Sequence, residues 1–343
     1  MRVAIDDISL VETIKNTIGD NAEIIYVFND TNFQEAMFSY PASCVHIDYM
    51  NFVDINLSRY NIMCKKHAKI TDKDWADIEE KNYKIGIIIP NCNYEEWIEK
   101  CLNSIATQSY KNYEVIFVDD VSNDDSVKIA KSFKDKMNIK IIELKQKRFN
   151  GGARNEAYLH LSKDVDYIWY VDSDDWIKED ALEDINNILQ SKPDVVFIGM
   201  SYSKNGVEYL YDIPDYKNKY EAFEGWSGSC GKIIKKELAT RQECLYNEGT
   251  LKEDKNQHRK ICFYMNNFVV LKKVLYVWNR DNKKSVTTIR DKAIWGTSTI
   301  RHYADAKQFY LTIKGQDPEI DALMEKRLEM AKKEILKKGD RQF

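Results

Sequence analysis

Residues 84–120 read KIGIIIPNCNYEEWIEKCLNSIATQSYKNYEVIFVDD, and the alternation inside this stretch decides the fold. Lys84–Pro90 is a continuous apolar run, the pattern of a strand buried on both faces. Trp97, Ile98, Cys101, Leu102 and Ile105 then recur at helical spacing. Glu114–Asp120 is a second apolar run. Strand, helix and strand at this spacing predict a right-handed βαβ crossover between parallel neighbours.

The alternation continues outward. Val127–Phe133 suits a helix and Lys140–Leu144 a third strand. Ala153–Leu161 reads as a helix entered through Gly151-Gly152. Tyr167–Val171 (YIWYV) is a fourth strand, a helix follows near Glu179–Leu189, and Asp194–Met200 (DVVFIGM) is a fifth strand. The expected fold is α/β, a Rossmann-like, mostly parallel sheet flanked by helices. Ligands of such sheets bind beyond the carboxyl ends of the strands, so strand-terminal polar residues are the place to look.

Three segments are expected along the chain. Residues 1–80 contain strand-like runs at Val3–Ile5, Ile24–Phe28 and Cys44–Ile47 and read as a small α/β domain. Asp6, Asp7 and Asp48 follow such runs as in a response-regulator receiver, but the segment is too short for the remaining receiver elements. Residues 81–290 form the main domain, with an irregular, aromatic half from 201 onward. Residues 291–343 read as a helical, amphipathic C-terminal extension with a charged end.

Charge is unevenly distributed. Residues 1–80 hold 7 Lys and Arg against 14 Asp and Glu, a net of −7. Residues 204–290 hold 17 against 11, a net of +6, which suits a phosphate leaving group or a polyanionic acceptor as well as a merely solvated face. The seven cysteines include no CxxC pair, which favours reduced thiols over disulfides or structural zinc. The start MRVAIDDISL has no signal-peptide pattern, and no apolar run reaches membrane-spanning length. These features predict a cytoplasmic location, with peripheral contact at the inner membrane face if the acceptor is membrane-linked.

The densest chemistry is Asp172-Ser173-Asp174-Asp175, directly after YIWYV. Three carboxylates within four residues at a buried strand end repel one another unless a cation or hydrogen-bond donors compensate. Hard divalent ions take such oxygens and share their shell with phosphate. The competing explanation is a helix N-cap with an acidic first turn, a job that suits Asp175. Asp119-Asp120 ends the second strand and could accept hydrogen bonds from a base or ribose; Ser122, Asn123 and Asp124 equally resemble turn and capping residues. Gly151-Gly152-Ala153-Arg154-Asn155 opens a helix where Arg154 would favour anions, though a plain turn fits too. No P-loop and no GxGxxG is present.

The ordered motifs PNCNYEEWIEKCLNSIATQSYKNYEVIFVDDVSND, NGGARNEA and YVDSDDWI resemble the family 2 glycosyltransferases of the GT-A fold. The resemblance covers residues 84–200 and continues more loosely to about 290. It implies that 81–200 is the nucleotide-sugar half and 201–290 the acceptor half. It implies that Pro90, Asn93 and Tyr94 cover the nucleotide, that Asp120 reads the base, commonly uracil, and that Arg154 binds the nucleotide. It makes Asp172 and Asp174 the metal site, with Asp174 the direct ligand and Asp172 near ribose or metal. Val121 departs from the pattern, since a glycine is usual there.

On the acceptor side, Glu253-Asp254 resembles the family's acidic pair, which implies Asp254 as the catalytic base and Glu253 as its assistant in orienting the acceptor. A helix-start carboxylate pair is the plainer explanation. His258 falls four residues on, on the same helical face, where a structural histidine is the commoner outcome. Arg280, with Lys283, Lys284, Ser285 and Thr287, lies where the family often places a basic, hydroxyl-bearing lid near the diphosphate; a surface turn fits as well. Trp226 and Lys232 fall in the expected acceptor wall, where Trp226 could stack on a sugar or serve the core. The expected activity is inverting transfer from a UDP-sugar, with Mn²⁺ or Mg²⁺, to a hydroxyl of a bacterial surface glycan. A phage-type enzyme glycosylating hydroxymethylated bases in DNA is the alternative, and a non-catalytic nucleotide-sugar-binding protein is a reading of another class.

Overall fold

The computed structural model describes residues 81–285 and 292–339, together with five short strands within residues 2–63. Among those five, β1 (Arg2–Ile5), β2 (Glu23–Val27) and β3 (Cys44–Ile47) form a parallel sheet in the order β2-β1-β3. β4 (Asp54–Leu57) and β5 (Tyr60–Met63) form an antiparallel pair.

The stretch 84–120 folds as its pattern demands. β6 (Ile85–Asn91) and β7 (Tyr113–Asp119) are buried along their whole length and pair in parallel. Between them, α1 (Glu95–Ala106) buries Ile98, Cys101, Leu102 and Ile105, the face set by its helical spacing. The helix α2 (Ser126–Lys131) and strand β8 (Ile139–Glu143) extend the sheet on one side. On the other, β9 (Tyr167–Tyr170) lies parallel to β6 and reaches the sheet through α3 (Phe149–Tyr158).

The second half departs from the parallel expectation. The full order is β10-β14-β11-β13-β9-β6-β7-β8, with β12 beside β11. It adds β10 (Trp176–Ile177), β11 (Val195–Lys204), β12 (Val207–Asp212), β13 (Lys232–Lys235) and β14 (Phe268–Asn279). β13 runs antiparallel to both β9 and β11, while β11 and β14 are parallel to each other. The nine-stranded sheet keeps six strands in one direction, as the mostly parallel expectation has it, and is mixed through the reversed strands β10, β12 and β13. β13 is too short, and too rich in lysine at its ends, to announce itself by periodicity.

Helices cover both faces. The helix α4 (Ala181–Leu189) packs Leu182, Ile185 and Leu189 with Trp169 and Phe117 in one core. The opposite core takes α5 (Lys219–Glu224), α6 (Lys236–Ala239) and α7 (Glu253–Tyr264). It also takes Ala306, Phe309, Tyr310 and Ile313 of α8 (Lys292–Ile313), and Ile320 and Met324 of α9 (Pro318–Gly339). Burying such side chains contributes roughly 1.5–3 kcal/mol each, so the terminal hairpin stabilises the helix that carries Glu253 and Asp254.

Candidate active site

Strands β6 and β9 end beside each other, and their polar termini open onto a cleft of about 350 Å³. That volume lies within the ordinary range of small-molecule sites. Pro90, Tyr94, Arg154, Asp172, Asp174, Glu253 and Asp254 all line it. The carboxyl ends of the donor-side strands and the start of α7 therefore meet at one place.

Arg154 makes the connection. It is 3% exposed, projects from α3, and donates to Asp172 at 2.7 Å and to Glu253 at 3.0 Å. Its guanidinium also lies 5.3 Å from the Tyr246 ring centroid and 5.8 Å from that of Tyr170. Burial opposes its charge, but Asp172 and the neighbouring acids hold its pKa well above the ordinary value. Gly151 and Gly152 lie inside α3, not before it. A Cβ on Gly151 would meet the Asn247 carbonyl at 2.9 Å and Glu253 Cβ at 3.2 Å, so glycine lets α3 reach the start of α7.

The acidic motif is a turn entering β10, which removes the helix-cap explanation for it. Asp175 closes that turn from beneath. Its carboxylate accepts from Tyr276 Oη at 2.5 Å and from the Asn279 backbone N–H at 2.7 Å. The same Tyr276 oxygen accepts from the Asp172 N–H at 3.1 Å. Asp174 accepts from Asn282 Nδ2 at 2.7 Å. Burial, followed by the nearby Asp172 charge, pushes the Asp174 carboxyl up to about 7.

These residues suit a divalent cation. Among the described residues no three His, Cys, Asp or Glu side chains converge into a complete ligand cage. Asp172 and Asp174 by themselves would supply only part of the oxygen shell that such an ion takes. Asp174, desolvated beside a second carboxylate, is the group whose charge such an ion would relieve.

Glu253 and Asp254 begin α7. Burial is the first cause raising both carboxyls, and their mutual repulsion adds to it at Glu253, while Arg154 works against the rise in each. Glu253 is turned to Arg154, and half-buried Asp254 borders the cleft.

Other expected residues fall elsewhere. Asp120 is buried outside the cleft lining, where it accepts the N–H groups of Arg148 at 2.6 Å and Phe149 at 2.8 Å. It caps α3 and so fixes the helix that bears Arg154. Asn93 also lies off the cleft, at φ +60°, bonded to the turn at Ser122 and Asn123. Arg280 is exposed, 5.1 Å from the ring centroids of both Tyr202 and Trp278. Ser285 reaches the cleft; Lys284 pairs with Glu96 at 2.9 Å on the surface, and Thr287 lies outside the described residues.

His258 is fully buried and structural. Its Nε2 lies 2.8 Å from the Ala222 carbonyl, and burial lowers its pKa well below the usual value. Lys232 is buried too, donating to the carbonyls of Ser227 and Gly228, and burial brings its pKa down to about 8. Trp226 forms cleft wall, seated over Gly228 and Gly231, where an added Cβ would come within 2.0 Å and 2.5 Å of the indole. Tyr276, Asn279, Asn282 and Lys255 carried no motif in the sequence.

Parts of this chain are similar in sequence and fold to known proteins. Residues 86–239 match the family described as glycosyl transferase family 2. The chain is 30% identical over 251 residues to Glycosyltransferase GlyA of Streptococcus pneumoniae, covering 67% of this chain and 34% of that protein. It is 35% identical over 126 residues to the poly(ribitol-phosphate) beta-glucosyltransferase of Bacillus spizizenii, covering 36% and 20%. The chain thus spans about a third or less of the length of these curated relatives. The structure of Staphylococcus aureus TarS 1-349 in complex with UDP-GlcNAc superposes with a TM-score of 0.59 at 21% identity, over 74% of this chain and 72% of that one. With its strand-end acids, buried arginine and acidic helix start on that shared GT-A fold, the chain belongs to glycosyl transferase family 2.

Proposed function

We propose that the chain catalyses inverting transfer of a sugar from a UDP-sugar to a hydroxyl of a bacterial surface glycan or similar acceptor, with Mn²⁺ or Mg²⁺. One observation carries the reading: Arg154 bridges the strand-end motif at Asp172 and the acidic pair at Glu253 within a single cleft. Donor-side and acceptor-side acids therefore face a common space large enough for a hexose.

In this reading Pro90 and Tyr94 flank the nucleotide, and Asp172 and Asp174 hold the divalent ion. When bound, that ion supplies charge neutralisation for the departing diphosphate. Asp120 and Asn93 shape the loops over the base. The acceptor hydroxyl lies against Asp254. As its oxygen bonds to the anomeric carbon, Asp254 takes its proton, and the bond to the diphosphate breaks with its electron pair leaving on UDP. A base with a raised pKa suits proton removal near neutral pH. Glu253, tied to Arg154, orients the acceptor.

Support for the donor comes from solved relatives of the fold: TarS with UDP-GlcNAc, and a Pyrobaculum calidifontis mannosyltransferase with GDP-Man and Mn²⁺. Support for a cell-surface polymer comes from relatives named for poly(ribitol-phosphate). No helix among the described residues is long and apolar enough to cross a membrane. The test is a panel of UDP- and GDP-sugars assayed for metal-dependent donor turnover, then for transfer to candidate glycans. Turnover of a UDP-sugar that EDTA abolishes is expected; no turnover of any donor with either metal would overturn the reading.

A further inference from the structure

A second depression, of about 440 Å³, lies on the other side of the α7 N-terminus, between that helix and the C-terminal hairpin. Lys252, Lys255, Arg259, Arg327 and Lys333 line it, against one carboxylate, Glu334. Three of these cations are paired locally: Lys252 with Glu334 at 2.8 Å, Arg327 with Glu224 through two contacts of 2.6 and 2.8 Å, and Lys333 with Glu329 at 3.6 Å. Lys255 and Arg259, one helical turn apart, have no carboxylate within ion-pairing distance among the described residues.

Arg259 is the anomaly. It is only 9% exposed, yet its Nε has no hydrogen-bond partner, and Nη1 reaches only the Lys255 carbonyl at 3.3 Å. His302 beside it likewise leaves a buried Nδ1 unpartnered. A buried guanidinium with one long bond to a carbonyl, an unpartnered Nε and no carboxylate partner is costly unless an anion completes its shell. Its planar fork suits phosphate oxygens.

Position gives the pocket its meaning. Lys255 lines both this depression and the main cleft, and it follows Asp254 directly in the chain. Asp254 faces the cleft at the point where we place the acceptor hydroxyl. We propose that this pocket binds a phosphate group carried by the acceptor. The inference rests on the acceptor-side assignment of Asp254 and adds a substrate class to it: the acceptor is a phosphate-bearing polymer or conjugate, held by Arg259 and Lys255 behind the base.

The experiment is a calorimetric titration of the full chain with glycerol 3-phosphate, and with glycerol as the neutral control, in UDP and Mn²⁺. The phosphate ester should bind and glycerol should not. A combined Arg259→Gln and Lys333→Gln change should weaken the ester about tenfold or more, as expected for lost charge-assisted contacts, and Arg259→Lys should restore part of it. Equal affinity in wild type and the double variant overturns the proposal, as does equal binding of glycerol. Inorganic phosphate added to a transfer assay should compete with the acceptor. A change in kcat with no competition would mark a free-phosphate effector instead and overturn the acceptor assignment. If no donor is turned over at all, the catalytic reading fails, while the titration still decides the pocket.

Discussion

Arg154 Nη2 lies 2.7 Å from Asp172 Oδ1 with its guanidinium almost wholly buried, and its other fork holds Glu253. One cation thereby balances acids from two parts of the chain. Removing it leaves buried Glu253 and partly exposed Asp172 without their shared counter-charge. Arg154→Gln should cost roughly 3–5 kcal/mol of folding stability, the usual loss when one partner of a buried pair is deleted. Arg154→Lys should retain less than half of that stabilisation, because an ammonium cannot serve both acids in the fork geometry. Urea denaturation of the three proteins measures this, and an unchanged midpoint would show that the bridge is idle.

Asp254→Asn should lower transfer by about 10²–10⁴-fold, the range for loss of a general base. Binding of the UDP-sugar should change little, since the donor-side acids are untouched. Glu253→Gln should instead raise the acceptor KM more than it lowers kcat. An Asp254→Asn enzyme with a tenth of wild-type kcat would remove the base from this position.

The Tyr276 hydroxyl holds the acidic turn by accepting from Asp172 and donating to Asp175. Tyr276→Phe should weaken Mn²⁺ by about 10–100-fold, as loss of an outer-shell partner commonly does. The readout is the Mn²⁺ concentration that half-saturates UDP binding. Retained metal affinity with lost stability would make Tyr276 a packing residue only.

Val121 sits at φ +63°, in the left-handed region that suits glycine and penalises a β-branched side chain. The family resemblance places a glycine there, and the structure shows why: the turn after Asp120 needs that conformation. Val121→Gly should raise stability by about 1 kcal/mol, the relieved strain exceeding the added chain entropy. A thermal midpoint that falls would mean that this side chain, 38% exposed, contributes packing that outweighs the strain.

Burial, with Arg259, Lys255 and Lys252 nearby, lowers the His302 pKa to about 4, against the opposing pull of Asp305. A base whose folded pKa is depressed binds its proton more readily unfolded. Its neutral form therefore contributes fully above pH 6.5 and loses that contribution as pH falls toward 4. His302→Gln should flatten the acid-side stability profile by up to about 2–3 kcal/mol over that window. Parallel profiles for variant and wild type would show that His302 is not a source of acid sensitivity.

The donor half was legible because its strands are buried on both faces and announce themselves as unbroken apolar runs, and their ends mark where polar residues must meet a ligand. Asp172 and Asp174 stand out that way, Arg154 through the glycine-led helix start, and Glu253-Asp254 through the family pattern. Tyr276, Asn279 and Asn282 were not legible. Their meaning depends on β14 lying beside β10, a pairing of positions a hundred residues apart. Asp120 shows the converse: a motif acid at the expected strand end, whose visible contacts cap a helix. Gly151-Gly152 read as the entrance to α3 because glycine usually interrupts helices; here close approach of α7 outweighs that propensity.

The reversed strand β13, from the half that begins at residue 201, sits between β9, which leads into the Asp172–Asp175 turn, and β11. It seals the two halves into one hydrogen-bonded fabric. A fragment ending after β11 would expose a raw edge on β9 and lack both the acidic pair and the tyrosine brace. Neither half can be borrowed as an interchangeable module: swapping acceptor preference between relatives by exchanging the C-terminal segments must carry β13 along and respect its stitching to both neighbours.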